Sequence, residues 1–293
     1  MATVHHFTNG WLNPVFAYAV SIVGALVGLY CTARARQVRP GAPRVKWLTI
    51  ATVAIGGAGI WLAHLTAMLG FDVEGSAVRY SPALTAISLA FSLAAVGVGL
   101  FLVGYGDPST AQVLRAGGIT GAGLLGMHYT GMAGVNVAGE IVFQSRLVAV
   151  SALIAVVAAT AALWFSVTVD GRLPIAGASA LMAAGVCGMH HVAMAGVGVR
   201  LDETGLTPVT GVRPLVLIVS VAVIAAVTMT VLATVALQAM TTEEFAGEGP
   251  AAVTKPEPVG LAAAGFATPA GEPIRLDLPV TPGLRRRESR FPY

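Results

Sequence analysis

The sequence predicts an all-α integral membrane bundle of seven transmembrane helices, with the N-terminus outside and the C-terminus cytoplasmic. Three observations carry this. Apolar residues make up 56% of the 293 residues, charged residues only 11%, and the mean hydropathy is +0.78. A soluble domain carries about 25% charged residues, so the chain falls in the membrane class. Long apolar runs separate the few charges, and the cations are distributed unequally about the first run.

Seven runs approach the roughly 20 residues that cross a bilayer as a helix. They lie near 14–33, 47–69, 82–104, 115–136, 147–168, 174–197 and 214–237. Pro14, Pro82, Pro174 and Pro214 stand at or near span starts, where a missing backbone N–H costs little. No cation precedes the first run, whereas Arg34, Arg36, Arg39, Arg44 and Lys46 follow it. Cations collect on the cytoplasmic side, so the first loop is expected inside. The same order inverts the secretory-signal pattern, and the first run is expected to persist as a membrane helix. Cys31 and Cys187 lie far apart inside apolar runs, which is no disulfide framework.

From Gln238 onward Pro, Ala, Gly and Glu dominate without apolar periodicity. The expected division is a membrane domain over 10–240 and a disordered cytoplasmic tail over 241–293. Arg285, Arg286, Arg287 and Arg290 cluster near its end. They read as solvated charge, with contact to anionic lipid as the functional alternative.

Within the membrane domain one spacing recurs. His64 and Met68, His128 and Met132, and His190 and Met194 are each four apart, and the His residues follow one another at intervals of 64 and 62. The chain has six His and nine Met, so a Met falls four places after a given His in roughly 3% of cases by composition, and three such pairs are not a chance motif. On a helix the two residues of each pair share a face. The expected topology runs spans 2, 4 and 6 in the same direction, with every pair in the outer half. Rises of 1.5 Å per residue then put each imidazole roughly 12–18 Å short of the next charge, Asp72, Glu140 or Arg200. No Asp, Glu, Lys or Arg falls mid-span, which argues against a proton-coupled transporter. Imidazole suits Cu, Zn and Fe, and thioether favours Cu(I); zinc would bring Cys or carboxylate as well. A site built on His64, His128 and His190 with Met ligands is therefore expected, against the plainer alternative of hydrogen-bonded bundle histidines and core methionines. Cys187 shares a face with His190 and is either a ligand or a small buried residue. His5 and His6 belong to a terminus expected to be mobile. Trp61, Tyr129 and Asn136 are candidates for supporting contacts.

The middle copy reads Gly126-Met127-His128-Tyr129-Thr130-Gly131-Met132, and the third Gly188-Met189-His190-His191-Val192-Ala193-Met194. With seven spans and three copies, the region over about 10–240 resembles the MHYT-domain family of bacterial integral membrane sensors. The resemblance implies a multi-pass protein of the bacterial inner membrane whose Met and His residues bind copper, as Cu(I) or a Cu(I)/Cu(II) couple, and through it a diatomic gas such as O2, CO or NO. Carried over by position, the ligand candidates are His64, Met68, Met127, His128, Met132, Met189, His190 and Met194. Copy one departs with Ala63 where the motif has Met, and copy three with His191 where it has Tyr. Within its own helix, a Met one place before a His points about 100° away from it, so Met127 and Met189 serve either a neighbouring helix or packing.

Many members carry a cytoplasmic output domain for cyclic di-GMP turnover, and nothing after residue 240 resembles one. The expectation is a non-enzymatic sensor that acts through an unidentified cytoplasmic signalling partner, in contact with the lipid bilayer and with no nucleic acid. Two alternatives belong to other classes. One is copper storage, delivery or transport; the other is a haem-binding membrane redox protein, since facing His pairs ligate haem.

Overall fold

The computed structural model describes residues 2–5, 8, 10–106, 108–202 and 208–217, then several positions up to 235. His6 and the expected tail over 241–293, with its arginine cluster, lie outside the described residues. The architecture is helical. Helix α1 spans Leu12–Gln37. A continuous rod follows over Ala42–Met68, made of α2 (Ala42–Thr52), a π-helical stretch (Val53–Leu62) and α3 (Ala63–Met68). Then come α4 (Pro82–Val103), α5 (Thr110–Ala133), α6 (Ser145–Thr168) and α7 (Arg172–Ala195).

Five of these helices are long and apolar enough to cross a membrane: Leu12–Gln37, Ala42–Met68, Pro82–Val103, Ser145–Thr168 and Arg172–Ala195. They make this a multi-pass membrane protein. The fourth expected span, α5, has the length, but Arg115, His128 and its many glycines dilute its apolar character. It packs between α4 and α6. The seventh expected span, 214–237, is helical at 214–217 and at several positions up to 235, and its remainder lies outside the described residues.

The helices sort their residues as a bilayer demands. Helix α6 turns Val150, Leu153, Val157 and Trp164 outward and buries Ser151, Ala155, Ala159, Leu163 and Ser166. Lipid is as apolar as leucine, so small inward residues, which permit close backbone contact, drive the packing. A Cβ at Gly117 would lie 2.1 Å from Thr160 Oγ1, and one at Gly24 would lie 2.3 Å from the Gly59 nitrogen. Alanine at either position would force the helices apart.

Local chemistry sets the helix ends. Ser109 Oγ accepts from the Gln112 N–H at 3.2 Å, which caps α5. Pro82 opens α4 behind Ser81. At the far end of the bundle, Arg44 donates to the Ala35 and Val38 carbonyls. Arg36 donates to the Ser166 and Val169 carbonyls and pairs with Asp170. Each guanidinium thus satisfies carbonyls that a helix C-terminus leaves open.

The all-α expectation missed a set of short strands at the opposite end. Strands β1 (Val4–His5) and β2 (Asp72–Val73) pair, as do β3 (Arg79–Tyr80) with β4 (Val135–Asn136), and β5 (Gly139–Phe143) with β6 (Val197–Leu201). All three pairs are antiparallel, in registers such as Val4↔Val73, Tyr80↔Val135 and Ile141↔Val199. His5 is therefore held in a strand opposite Asp72 rather than in a free terminus. The isolated bridge Ala2↔Val199 links the first and third pairs, and Tyr80↔Val212 fastens the segment after β6 to β3. Each helix that carries a His-x-x-x-Met pair runs into this strand layer. Pairing satisfies backbone groups that irregular loops would leave open beside a membrane.

Candidate metal centre

The π-helical stretch ends at Leu62, two residues before His64. Its glycines let neighbours in: Ser21 Oγ donates to the Gly59 carbonyl at 2.6 Å, and Ser92 Oγ to the Gly56 carbonyl at 2.7 Å. Helices α1 and α4 thereby clamp the stretch that aims His64. Wide turns of this kind recur at functional sites. The glycines Gly56, Gly57 and Gly59 were the only sequence trace of it.

Helices α3, α5 and α7 bring His64, His128 and His190 together on the bundle axis. Their exposures are 4%, 0% and 5%. The ring centroids form a near-equilateral triangle of 5.1, 5.0 and 5.2 Å, with the planes crossed at 75°, 77° and 83°. One ring nitrogen from each lies within 4.8 Å of the others. His64 Nδ1 and His190 Nδ1 are 3.1 Å apart. Both nitrogens of His128 are buried without a hydrogen-bond partner.

These residues fit a metal ion. A metal–imidazole bond is about 2.0–2.1 Å long, so nitrogens 3.1 Å apart subtend roughly 100° at a shared metal, an ordinary coordination angle. An unpartnered buried polar atom costs about 1–3 kcal/mol, and His128 carries two. Coordination would satisfy one of them. Among the described residues no carboxylate belongs to the cluster. Three imidazoles suit Cu, Zn and Fe alike. Centroids about 5 Å apart leave no room between rings for a porphyrin plane, which weighs against haem.

The methionines divide into two groups. Met68, Met132 and Met194, four residues after each His, are all buried. They belong to one apolar cluster with Phe71, Val73, Tyr80, Val135 and Val197, beneath the strands. The Tyr80 hydroxyl donates to the Met68 carbonyl at 3.1 Å. Burial, and secondarily the Asp72 carboxylate, push this phenol up, so it stays a neutral donor. Met127 and Met189, one residue before their His, line a small pocket with Ala63, His64, Cys187, His190 and His191. The three positions before each His thus meet in one place, and Ala63 leaves one side of it thin.

The remaining candidates have other partners. Trp61 Nε1 donates to Ser88 Oγ at 3.0 Å, and Asn136 Nδ2 donates to the Thr210 carbonyl at 2.9 Å. The Tyr129 ring stands edge-on to His128 at 4.9 Å, and its hydroxyl meets Ser151 Oγ at 3.1 Å. His191 Nδ1 donates to the Cys187 carbonyl at 2.7 Å. Gly131, within the middle copy of the motif, gives His64 its room: a Cβ there would lie 2.7 Å from His64 Nε2.

A family model described as a bacterial signalling protein N-terminal repeat, MHYT, matches residues 57–116 and 121–179. The chain is 30% identical over 61% of its length to the bifunctional diguanylate cyclase/cyclic di-GMP phosphodiesterase MucR of Pseudomonas aeruginosa, covering 27% of that protein. It is 29% identical over 66% of its length to an uncharacterized signaling protein of Caulobacter vibrioides, covering 23% of it. To the cyclic di-GMP phosphodiesterase NbdA of Pseudomonas aeruginosa it is 33% identical over 52% of its length, covering 20% of that protein. The chain therefore spans about a quarter of the length of these relatives. No solved structure matches.

Proposed function

Since the chain belongs to the MHYT family of bacterial membrane signalling repeats, we propose that it is a sensory module of the inner membrane that holds copper on His64, His128 and His190. One observation carries the reading: among the described residues three buried imidazoles converge without a carboxylate, and both nitrogens of His128 are unpartnered. Met127 and Met189 beside the triad, and Met68, Met132 and Met194 beyond it, supply thioethers suited to Cu(I). Copper bound there would supply an open position for a diatomic gas such as O2, CO or NO. The protein's own part is to exclude water and fix the imidazoles with crossed planes. We place no catalysis in the bundle itself. Its state would be read through a cytoplasmic partner or segment acting in cyclic di-GMP turnover, the activity named for two of its relatives.

The test is metal analysis of the purified full chain beside the His64→Ala/His128→Ala/His190→Ala variant. Copper present in the first and lost in the second supports the site. Near-zero copper in both sinks it. Cellular copper uptake that tracks the three histidines would favour transport over sensing.

A further inference from the structure

One helical turn before each histidine stand Ile60, Leu124 and Val186, and all three line a single apolar cavity. Four residues rise 6 Å along a helix, so this cavity lies directly beneath the imidazole triad on the bundle axis. Each of the helical segments around the axis contributes to its wall. Ser21 and Ala25 come from α1, Gly59 from the π-helical stretch, Val96 from α4, Thr120 from α5, Ala159 from α6 and Met182 from α7. Small residues at these positions keep it open. It holds about 40 Å³ of free space, against ~10–15 Å³ for one water.

The walls offer water no free donor and few acceptors. The two hydroxyls, Ser21 and Thr120, spend their protons on the Gly59 and Ala95 carbonyls at 2.6 and 3.2 Å. All other lining side chains are apolar. A cavity of this kind stays dry and takes up small apolar molecules. It also has neighbours at both ends. Leu100 lines both this chamber and a larger cavity at the Arg36 and Arg44 end of the bundle. Val186 lines both the chamber and the pocket beside His64 and His190.

We propose that this chamber is a binding site for a small, uncharged, apolar molecule the size of a diatomic gas, held one turn beneath the histidines and delivered to them past Val186. Leu100 closes the chamber from the opposite end. The site itself stands on the cavity alone; delivery to the triad rests on the metal-site reading.

Two arms keep these separate. In metal-free full-length protein in detergent, xenon is the probe, read by methyl chemical shifts. Shifts should concentrate on Ile60, Leu124 and Val186 rather than on lipid-facing Leu153 and Val157. Ala159→Leu, which fills the chamber, should abolish them. Leu163→Ala, which enlarges it, should increase occupancy, and it serves as the deciding variant if the filled protein fails to fold. Xenon shifts spread evenly over the outer methyls, or unchanged in both variants, would overturn the proposal whatever metal the protein binds. In the second arm, the Cu(I)-loaded protein is mixed with carbon monoxide. Ala159→Leu should slow binding roughly tenfold at unchanged copper content. An unchanged rate would overturn delivery through the chamber.

Discussion

Gly131→Ala tests whether the triad is a metal centre or a packed cluster of histidines. The added Cβ would lie 2.7 Å from His64 Nε2, and ordinary contact begins at 3.4 Å, so the imidazole must retreat by about 0.7 Å. His64 is 4% exposed, and its other nitrogen already sits 3.1 Å from His190 Nδ1. The ring can yield only by tilting against its neighbours. Overpacking of this sort costs about 1–3 kcal/mol of stability. Metal ligation tolerates displacements of only about 0.2 Å, so affinity should suffer more than the fold. A loss of about 10–100-fold in Cu(I) affinity is expected, as for other groups that orient a ligand without touching the metal. The assay is competition with a chromophoric Cu(I) chelator, paired with thermal unfolding of the metal-free protein. Gly118→Ala is the control, because it lies on the same helix and its Cβ meets nothing within 4 Å. Copper affinity equal in both alanine variants would refute the geometric reasoning.

Two further outcomes follow from the same centre. His128→Leu removes two unpartnered buried nitrogens. It should raise the melting temperature of the metal-free protein while abolishing the melting shift that copper gives the parent, because a leftover buried polar group costs about 1–3 kcal/mol. Ala63→Met restores the thioether that copy one lacks, in the pocket already lined by Met127 and Met189. Tighter Cu(I) binding by competition assay would show that this pocket supplies ligands. A loss of stability of about 1–3 kcal/mol without any gain in affinity would show that it only packs.

The convergence of the histidines was legible in the sequence because helical periodicity and the near-constant interval both survive in the fold. A residue four places along a helix stays on the same face, so three equal spacings on three parallel segments had to point alike. The methionines were less legible. Spacing alone could not say that Met68, Met132 and Met194 pack under the strands while Met127 and Met189 line a pocket beside His64. The strands escaped notice because each is two to five residues long, below the length at which alternation becomes a signal. Helix α5 has the length of a crossing helix, while Arg115, His128 and its glycines keep its composition outside the apolar set. Its glycines serve contact with α4 and α6, as at Gly121, where a Cβ would meet Val156 Cα at 2.6 Å.

The centre follows from repetition rather than from any one motif. Each repeat supplies one imidazole, which by itself is a buried polar side chain in need of a partner. Three copies on a common axis turn that liability into a site, and the same register stacks two further layers. Residues four places earlier, Ile60, Leu124 and Val186, wall an apolar chamber. Residues four places later, Met68, Met132 and Met194, close the top against the strand layer. Equal repeats would give a threefold-symmetric stack, and the copies depart from equality at the position before each histidine. There Ala63 faces Met127 and Met189. A symmetric centre has no preferred side for a ligand to enter. The short side chain at Ala63 leaves one side of the triad thinly covered, in the pocket that shares Val186 with the chamber below.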